Sequence, residues 1–208
     1  MAKTPFTLLA ATMIAAAIPA IAQQTGQQPG AIDASRVIAG DYTTDSNHSQ
    51  VAWAVNHYGF NLFHGLFGNP TGTLKIDPAK PSEAMVAIDI PLDKVVTTSA
   101  GLNEHLKKPD FFDVAQFPIA TFRSTSVSAS GTKARISGNL TIKGVTKPVV
   151  LDAQLSGAGV NPRNKKETVG FEATTTISRS DFGIVYGLPA VADRVDLRIT
   201  VAFERVAS

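Results

Sequence analysis

Four histidines are the residues of this 208-residue chain best suited to chemistry, since imidazole is both a general base near neutral pH and the commonest metal ligand. They are His48, His57, His64 and His105, and their successive separations of 9, 7 and 41 residues match no compact metal-ligand signature. The chain contains no Cys, which excludes thiolate zinc sites, iron–sulfur clusters, disulfides and thiol nucleophiles. We therefore predict no metal site, no catalytic residues and no cofactor.

One histidine has an acidic neighbour three residues away. In Asp45-x-x-His48-Ser49 the two side chains could form an acid–base pair, although the same pattern is typical of an Asx-type turn entering a strand. The nucleophile elbow, the zinc-protease helix and the phosphate-binding glycine loops are absent from the sequence. We expect a protein that is not an enzyme. The alternative is an enzyme acting on a lipid or small apolar molecule through His48 or His57, with Asp45 or Arg179.

The overall charge narrows the range of partners. The net charge is +2 and the Lys and Arg residues are scattered along the chain. A nucleic-acid-binding protein would concentrate basic residues in a stripe or patch, so no nucleic-acid partner is expected.

The first 22 residues have the three parts of a secretory signal peptide. Lys3 provides the positive region, 6–18 is an uncharged and mostly apolar run, and Ala20-Ile21-Ala22 is a small-x-small cleavage site. Without Cys the mature protein cannot be a lipoprotein, so we predict a cleaved signal and a periplasmic protein. Residues 23–40 are rich in Gln, Gly and small side chains, and we predict a flexible segment there.

Period-two alternation of apolar and polar residues dominates from about residue 49 and predicts strands with one buried face. Eight strands are expected, with 41–44 as a candidate ninth: 51–57, 73–77, 84–90, 119–127, 133–142, 148–155, 168–177 and 194–204. One helix is expected between a Thr98 or Ser99 cap and Pro109, and a short helical turn at 60–67. The fold class is all-β, a single domain that forms a sandwich or an antiparallel barrel.

Several short motifs, in the same order, resemble those of the YceI-like family of periplasmic polyisoprenoid-binding proteins. They are Asp45-x-x-His48-Ser49, Val55-x-His57-x-Gly59, Gly65-x-Phe67, Phe117-Pro118, Gly138-x-Leu140-Thr141-Ile142 and Arg179-Ser180-Asp181-Phe182-Gly183. The resemblance covers about 41–205, and we place the barrel domain at 41–206. It implies a single, extended, lipocalin-like barrel of eight antiparallel strands that holds a long isoprenoid lipid or isoprenoid quinone, and a homodimer.

The residues agree with an open barrel interior. Small side chains at the inward positions Ala134, Gly138, Ala153 and Ala173 leave volume that a packed core would fill. The predicted apolar wall consists of Trp53, Val55, Phe67, Phe122, Ile136, Leu140, Phe171 and Phe182, and the candidate contacts to a polar head group are His57 and Arg179.

Two further statements complete the sequence-based hypothesis. Arg179 is also placed to form a salt bridge with Asp181. Charged outward positions such as Arg135 and Arg198 would not tolerate lipid, so no stable membrane insertion is expected.

Besides the enzyme, the second alternative function is a stress-related scaffold protein whose barrel is filled by its own side chains.

Overall fold

The computed structural model describes residues 28–206, which contain eleven strands and one α-helix. The strands are β1 (Gly40–Thr44), β2 (Gln50–His57), β3 (Asn61–Gly68), β4 (Thr71–Ile76), β5 (Met85–Pro91), β6 (Val95–Thr97), β7 (Ile119–Ser130), β8 (Lys133–Ile142), β9 (Val145–Val160), β10 (Glu167–Ser178) and β11 (Val191–Arg205). The helix is α1 (Ala100–Leu106), and short 3₁₀ turns occupy Ala34–Arg36, Ser46–His48, Pro81–Glu83, Leu92–Lys94 and Arg179–Phe182.

Eight of the strands close into an antiparallel barrel. The order is β1-β4-β5-β7-β8-β9-β10-β11, and β11 pairs back to β1 through Thr44 and Phe203. The other half of β11 pairs with β2, which continues through β3 to β6. The predicted eight-stranded barrel is therefore confirmed. Three of the eight barrel positions are each occupied by two consecutive strands with a break between them. These are β1 with β2, β3 with β4, and β5 with β6, so the structure has eleven strands in eight positions.

The break between β1 and β2 is held to β11 by local hydrogen bonds. The backbone N–H of Asp45 donates to the carbonyl oxygen of Ala202 (2.8 Å), and the Ala202 N–H donates to Ser49 Oγ (3.1 Å). At the break between β3 and β4, Asn69 adopts φ 56° and is followed by Pro70, which has no N–H for a sheet bond. Each break interrupts its strand and leaves the strand order of the barrel unchanged.

The helix prediction is confirmed and the predicted helical turn at 60–67 is wrong. Ser99 Oγ accepts a hydrogen bond from the Leu102 N–H (3.3 Å) and so caps α1. Residues 61–68 instead form β3, which pairs with β2 along its whole length. Phe63 and Phe67 lie four residues apart, and that spacing puts two side chains on one face of a strand as well as of a helix.

The start of the described chain lies against the barrel. Ala31 and Ala158 exchange two backbone hydrogen bonds, Ala31 N–H to Ala158 O (3.1 Å) and the reverse (2.8 Å). Residues 29–36 therefore lie against β9, while flexibility of 23–40 as a whole stays a prediction. The predicted signal peptide at 1–22 lies outside the described residues. Within 28–206 the structure shows no helix of the length and apolar character needed to cross a bilayer.

Candidate functional site

The barrel interior contains two apolar cavities placed end to end. The far cavity, of about 290 Å³, lies among β4, β5 and the β7–β10 sheet. The helix-end cavity, of about 370 Å³, lies under α1 and the loop that follows β10. Val51 lines both of them and therefore lies between the two cavities. The interior is thus not filled by the protein's own side chains.

All eight residues predicted for the apolar wall line one of these cavities. Five line the helix-end cavity: Trp53, Val55, Phe67, Leu140 and Phe182. Three line the far cavity: Phe122, Ile136 and Phe171. The alternating pattern brought them together because residues two apart on a strand share a face, and in a closed barrel that face is the interior. Their contact with a ligand stays a prediction.

The small inward residues have two different roles. Ala134 pairs with Ala153 across β8 and β9, Ala153 pairs with Ala173 across β9 and β10, and all three line the far cavity. Gly138 does not add open volume, because a Cβ built there would lie 2.4 Å from the Cζ atom of Phe122. The missing side chain of Gly138 makes room for the Phe122 ring.

The helix-end cavity has an aromatic rim. The ring of His105 lies edge-on to Phe111 (centroids 4.8 Å apart) and to Tyr186 (5.0 Å). His57, at the end of β2, is exposed and lies edge-on to Tyr58 (4.4 Å). All five residues line the cavity. The sequence placed His57 on the apolar face of β2, and the structure puts it at the rim, where solvent reaches it.

Exposed apolar side chains continue outward from this rim. They belong to the β2–β3 turn and to the loop before β11, two segments joined by a hydrogen bond from the Tyr58 N–H to Ala190 O (2.9 Å). Phe60 at the tip of the turn is 90% exposed. Single exposed apolar residues are ordinary, but a group of them around a cavity mouth marks a contact surface. The group consists of Tyr58, Phe60, Leu62, Val185 and Tyr186.

Arg179 is buried, and its guanidinium group binds the loop before β11 and the first two residues of β11. Only 7% of the residue is exposed. Nε donates to Ala192 O (2.9 Å), Nη2 donates to Val191 O (2.9 Å), and Nη1 donates to the carbonyl oxygens of Ile184 (3.3 Å) and Tyr186 (2.7 Å). Burial lowers the pKa of Arg179, and the charge of Asp193 opposes that effect.

The expected salt bridge between Arg179 and Asp181 is wrong. Asp181 is exposed, and no ion pair joins it to Arg179 among the described residues. The acidic residue whose charge acts on Arg179 is Asp193. Asp193 accepts hydrogen bonds from the N–H (2.8 Å) and Oγ (2.7 Å) of Ser180. Burial raises the pKa of Asp193, but these bonds and the Arg179 charge outweigh it, so the pKa is lowered. Spacing along the chain could not reveal this, because Asp193 lies on a different strand.

The Asp45–His48 pair exists but lies away from both cavities. His48 Nδ1 is 2.7 Å from Asp45 Oδ2, and the His48 side chain is 73% exposed. Neither residue lines the interior. In residues 28–206 the structure contains no group of three or more His, Asp or Glu side chains that could hold a metal ion. The pair helps to order the break between β1 and β2.

Sequence reasoning missed a second histidine–carboxylate pair. His105 Nε2 lies 2.6 Å from Asp110 Oδ2, and the pair holds the end of α1 to the loop that follows it. Loops do not follow a strand or helix period, so the rim residues Phe111, Ile184 and Tyr186 carried no periodic signal. The concentration of Phe in 111–117 was the one available sign.

The fold and the site define a closed, eight-stranded antiparallel barrel protein with an apolar interior. Residues 42–203 match the model of the YceI-like domain. The chain belongs to the YceI-like family.

Similar proteins and structures agree with this assignment. The chain is 39% identical over 166 residues to "Protein YceI" of Salmonella paratyphi B, covering 79% of this chain and 86% of the relative. It is 38% identical over 173 residues to a "UPF0312 protein" of Pseudomonas fluorescens, covering 82% and 89%. Among solved structures, BcnA of Burkholderia cenocepacia superposes with a TM-score of 0.69 at 26% identity, covering 76% of this chain and 98% of BcnA.

A more distant structure shares the fold alone. It is described as a polyisoprenoid binding domain from Saccharophagus degradans, with a TM-score of 0.58 and 16% identity, covering 79% of this chain and 98% of that one.

Proposed function

We propose that this protein is a periplasmic carrier that holds one long isoprenoid lipid, a polyprenyl chain or an isoprenoid quinone, inside the barrel. The observation that carries the proposal is the pair of apolar cavities that follow one another along the barrel, one on either side of Val51. A space of this form suits a slender chain better than a compact ligand. The description of the Saccharophagus degradans domain supports the same ligand class.

Binding in this space would be driven by transfer of the chain out of water. Each methylene moved from water into an apolar environment contributes about 0.8 kcal/mol, so a long hydrocarbon needs no polar contact to bind tightly. The diameter and length of the interior then select the chain. His57 at the rim is the candidate contact for a polar head group, whereas Arg179 acts by fixing the rim loop because four backbone carbonyls occupy its donors.

The proposal treats the protein as a binding protein without catalytic activity or cofactor, exported by the cleaved segment 1–22 and assembled as a homodimer. No observation favours the enzyme alternative specifically, because Asp45 and His48 lie outside the cavities. The filled scaffold is disfavoured by the open interior.

The test is native mass spectrometry of protein purified from the periplasm without detergent, followed by solvent extraction of what is bound. We expect one isoprenoid lipid per chain, a dimer mass and a mature N-terminus at Gln23. Protein that emerges empty and also fails to take up added isoprenoids would overturn the carrier proposal.

A further inference from the structure

Trp53 carries a feature of the helix-end cavity that apolar packing does not explain. The side chain lies on β2, lines this cavity and is 8% exposed. Its indole N–H is buried and has no hydrogen-bond acceptor among residues 28–206. Buried donors in folded proteins are almost always paired, so an unpaired one calls for an explanation.

The position of the indole ring is fixed by its neighbours. Trp53 pairs directly with Gly65 of β3, and a Cβ built on Gly65 would lie 2.2 Å from Cζ2 and 2.5 Å from Cε2 of the indole. Phe63 packs beside it with ring centroids 6.3 Å apart. The ring therefore occupies the space that the glycine leaves open. Its N–H keeps one direction because packing, not a polar partner, holds it there.

A purely hydrocarbon ligand gives this arrangement no benefit. With such a ligand the N–H would stay unpaired, and Phe at this position would supply an aromatic wall without a buried donor. Tryptophan becomes the better residue when the ligand brings an oxygen atom that accepts the bond. The mostly apolar surroundings would strengthen that bond, because little water competes for it.

We propose that the bound isoprenoid carries a carbonyl or hydroxyl oxygen that accepts a hydrogen bond from Trp53 Nε1. This inference rests on the proposed function and narrows its ligand class to oxygen-bearing prenyl lipids, such as a prenylated quinone. The oxygenated end lies in the helix-end cavity, beside the aromatic rim of His105, Phe111 and Tyr186, and the prenyl tail passes Val51 into the far cavity.

The chain offers a direct probe, because Trp53 is its single tryptophan. Nitrogen-15-labelled, delipidated protein gives one indole N–H resonance, and tryptophan emission reports one site. We would titrate the protein with a 1,4-benzoquinone that bears a tetraprenyl tail and, separately, with the hydrocarbon squalene. We expect the quinone to shift the indole proton downfield and to quench the emission, and squalene to leave the proton resonance nearly in place.

Affinity measurements on variants complete the test. Trp53→Phe removes the donor and keeps an aromatic ring, so we expect about tenfold weaker quinone binding and unchanged squalene binding. Phe63→Leu is the matched control, since it alters the adjoining ring without changing a donor, and it should weaken both ligands alike. Circular dichroism checks that both variants fold. The titration of the unsubstituted protein does not depend on these variants.

The outcomes separate the two proposals. If neither lipid binds, the carrier function itself fails. If both bind but the indole resonance responds equally to both, or Trp53→Phe weakens both equally, the carrier function stands and the hydrogen bond from Trp53 is overturned.

Discussion

Ala153 lies directly opposite Ala173 across β9 and β10, and Ala134 lies opposite Ala153 on the other side. Three adjacent strands therefore present methyl groups to the same level of the far cavity. Leucine or isoleucine at these positions would be expected in a packed core. This row of alanines keeps the far end of the interior open.

Filling that row should shorten the lipid that the protein retains. Ala173→Leu places three additional carbons in the far cavity, and each methylene of ligand that is displaced should weaken binding by about fourfold. Native mass spectrometry should show a shift toward shorter prenyl chains. Thr174→Leu is the control, because Thr174 is the next residue on β10 and is exposed. Equal chain lengths in Ala173→Leu and unsubstituted protein would contradict a tail in this cavity.

Arg179 should contribute more to stability than any exposed arginine. Arg179→Lys keeps the charge but cannot bind four carbonyl oxygens, and we expect the free energy of unfolding to fall by about 3 kcal/mol, since buried acceptors are left unpaired. The control is Arg198→Lys, because Arg198 is an exposed residue that pairs with Glu172 (2.8 Å). That variant should lose much less stability, because an exposed ion pair contributes little. Urea unfolding curves measure both, and equal losses would show that the carbonyl contacts contribute little.

Glu204 should make stability depend on pH in the acid range. Hydrogen bonds from Asn164 (2.6 Å) and then Lys166 (3.0 Å), together with the Lys166 charge, lower its pKa against the opposing effect of burial. A pKa lower in the folded than in the unfolded state stabilises the protein above the unfolded value of 4.5, and the gain is lost as pH falls through the folded pKa.

We therefore expect Glu204→Gln to reduce the free energy of unfolding by about 1–2 kcal/mol at pH 7, and the difference from the unsubstituted protein to shrink below pH 4.5. Thermal unfolding at several pH values tests this. Glu172→Gln, on the exposed face of β10, should show a smaller effect at pH 7. A difference that persists unchanged at low pH would mean that Glu204 acts through packing and not through its charge.

Phe60 should affect how fast lipid enters and not how tightly it binds. The side chain is 90% exposed beside the mouth of the helix-end cavity, so it has little contact with the interior. We expect Phe60→Ser to slow uptake of a prenylated quinone from vesicles several-fold and to leave the equilibrium affinity unchanged, with Phe60→Leu close to the unsubstituted protein. Stopped-flow quenching of Trp53 emission measures the rate. Unchanged uptake in Phe60→Ser would remove this rim from the entry route.

The period-two pattern of the sequence correctly predicts the strands of the barrel wall, but it does not predict the segments at the open end of the barrel. In β8 the predicted inward residues Ala134, Ile136, Leu140 and Ile142 all line a cavity, because one alternating pattern fixes the whole strand. The breaks in the first strands were less visible. Phe63 and Phe67 suit a helix and a strand equally, so β3 was predicted as a helical turn.

Contacts between distant segments were beyond the reach of the sequence. Two of the four carbonyls bound by Arg179 belong to a loop without period and two to the start of β11, and no spacing predicts that Ile184 or Ala192 would contact a guanidinium group. The unpaired indole N–H depends in the same way on Gly65, which is opposite Trp53 only once β2 and β3 have paired. Composition and pattern can indicate an apolar interior, but polar groups in it become visible only in three dimensions.

The closure of β11 onto β1 also limits how two copies could associate. Where its strands are paired on both sides, the barrel offers a second chain no free backbone donors or acceptors, and the part of β7 after Arg123 is a stretch without a β5 partner. In the described part of the chain the β2–β3–β6 extension ends at β6, which is three residues long and contacts α1. Dimer formation by pairing of edge strands from two chains is therefore disfavoured, and so is aggregation through the same edge-strand pairing. The homodimer that we propose would have to be held together by side chains on the outer faces of the strands and loops.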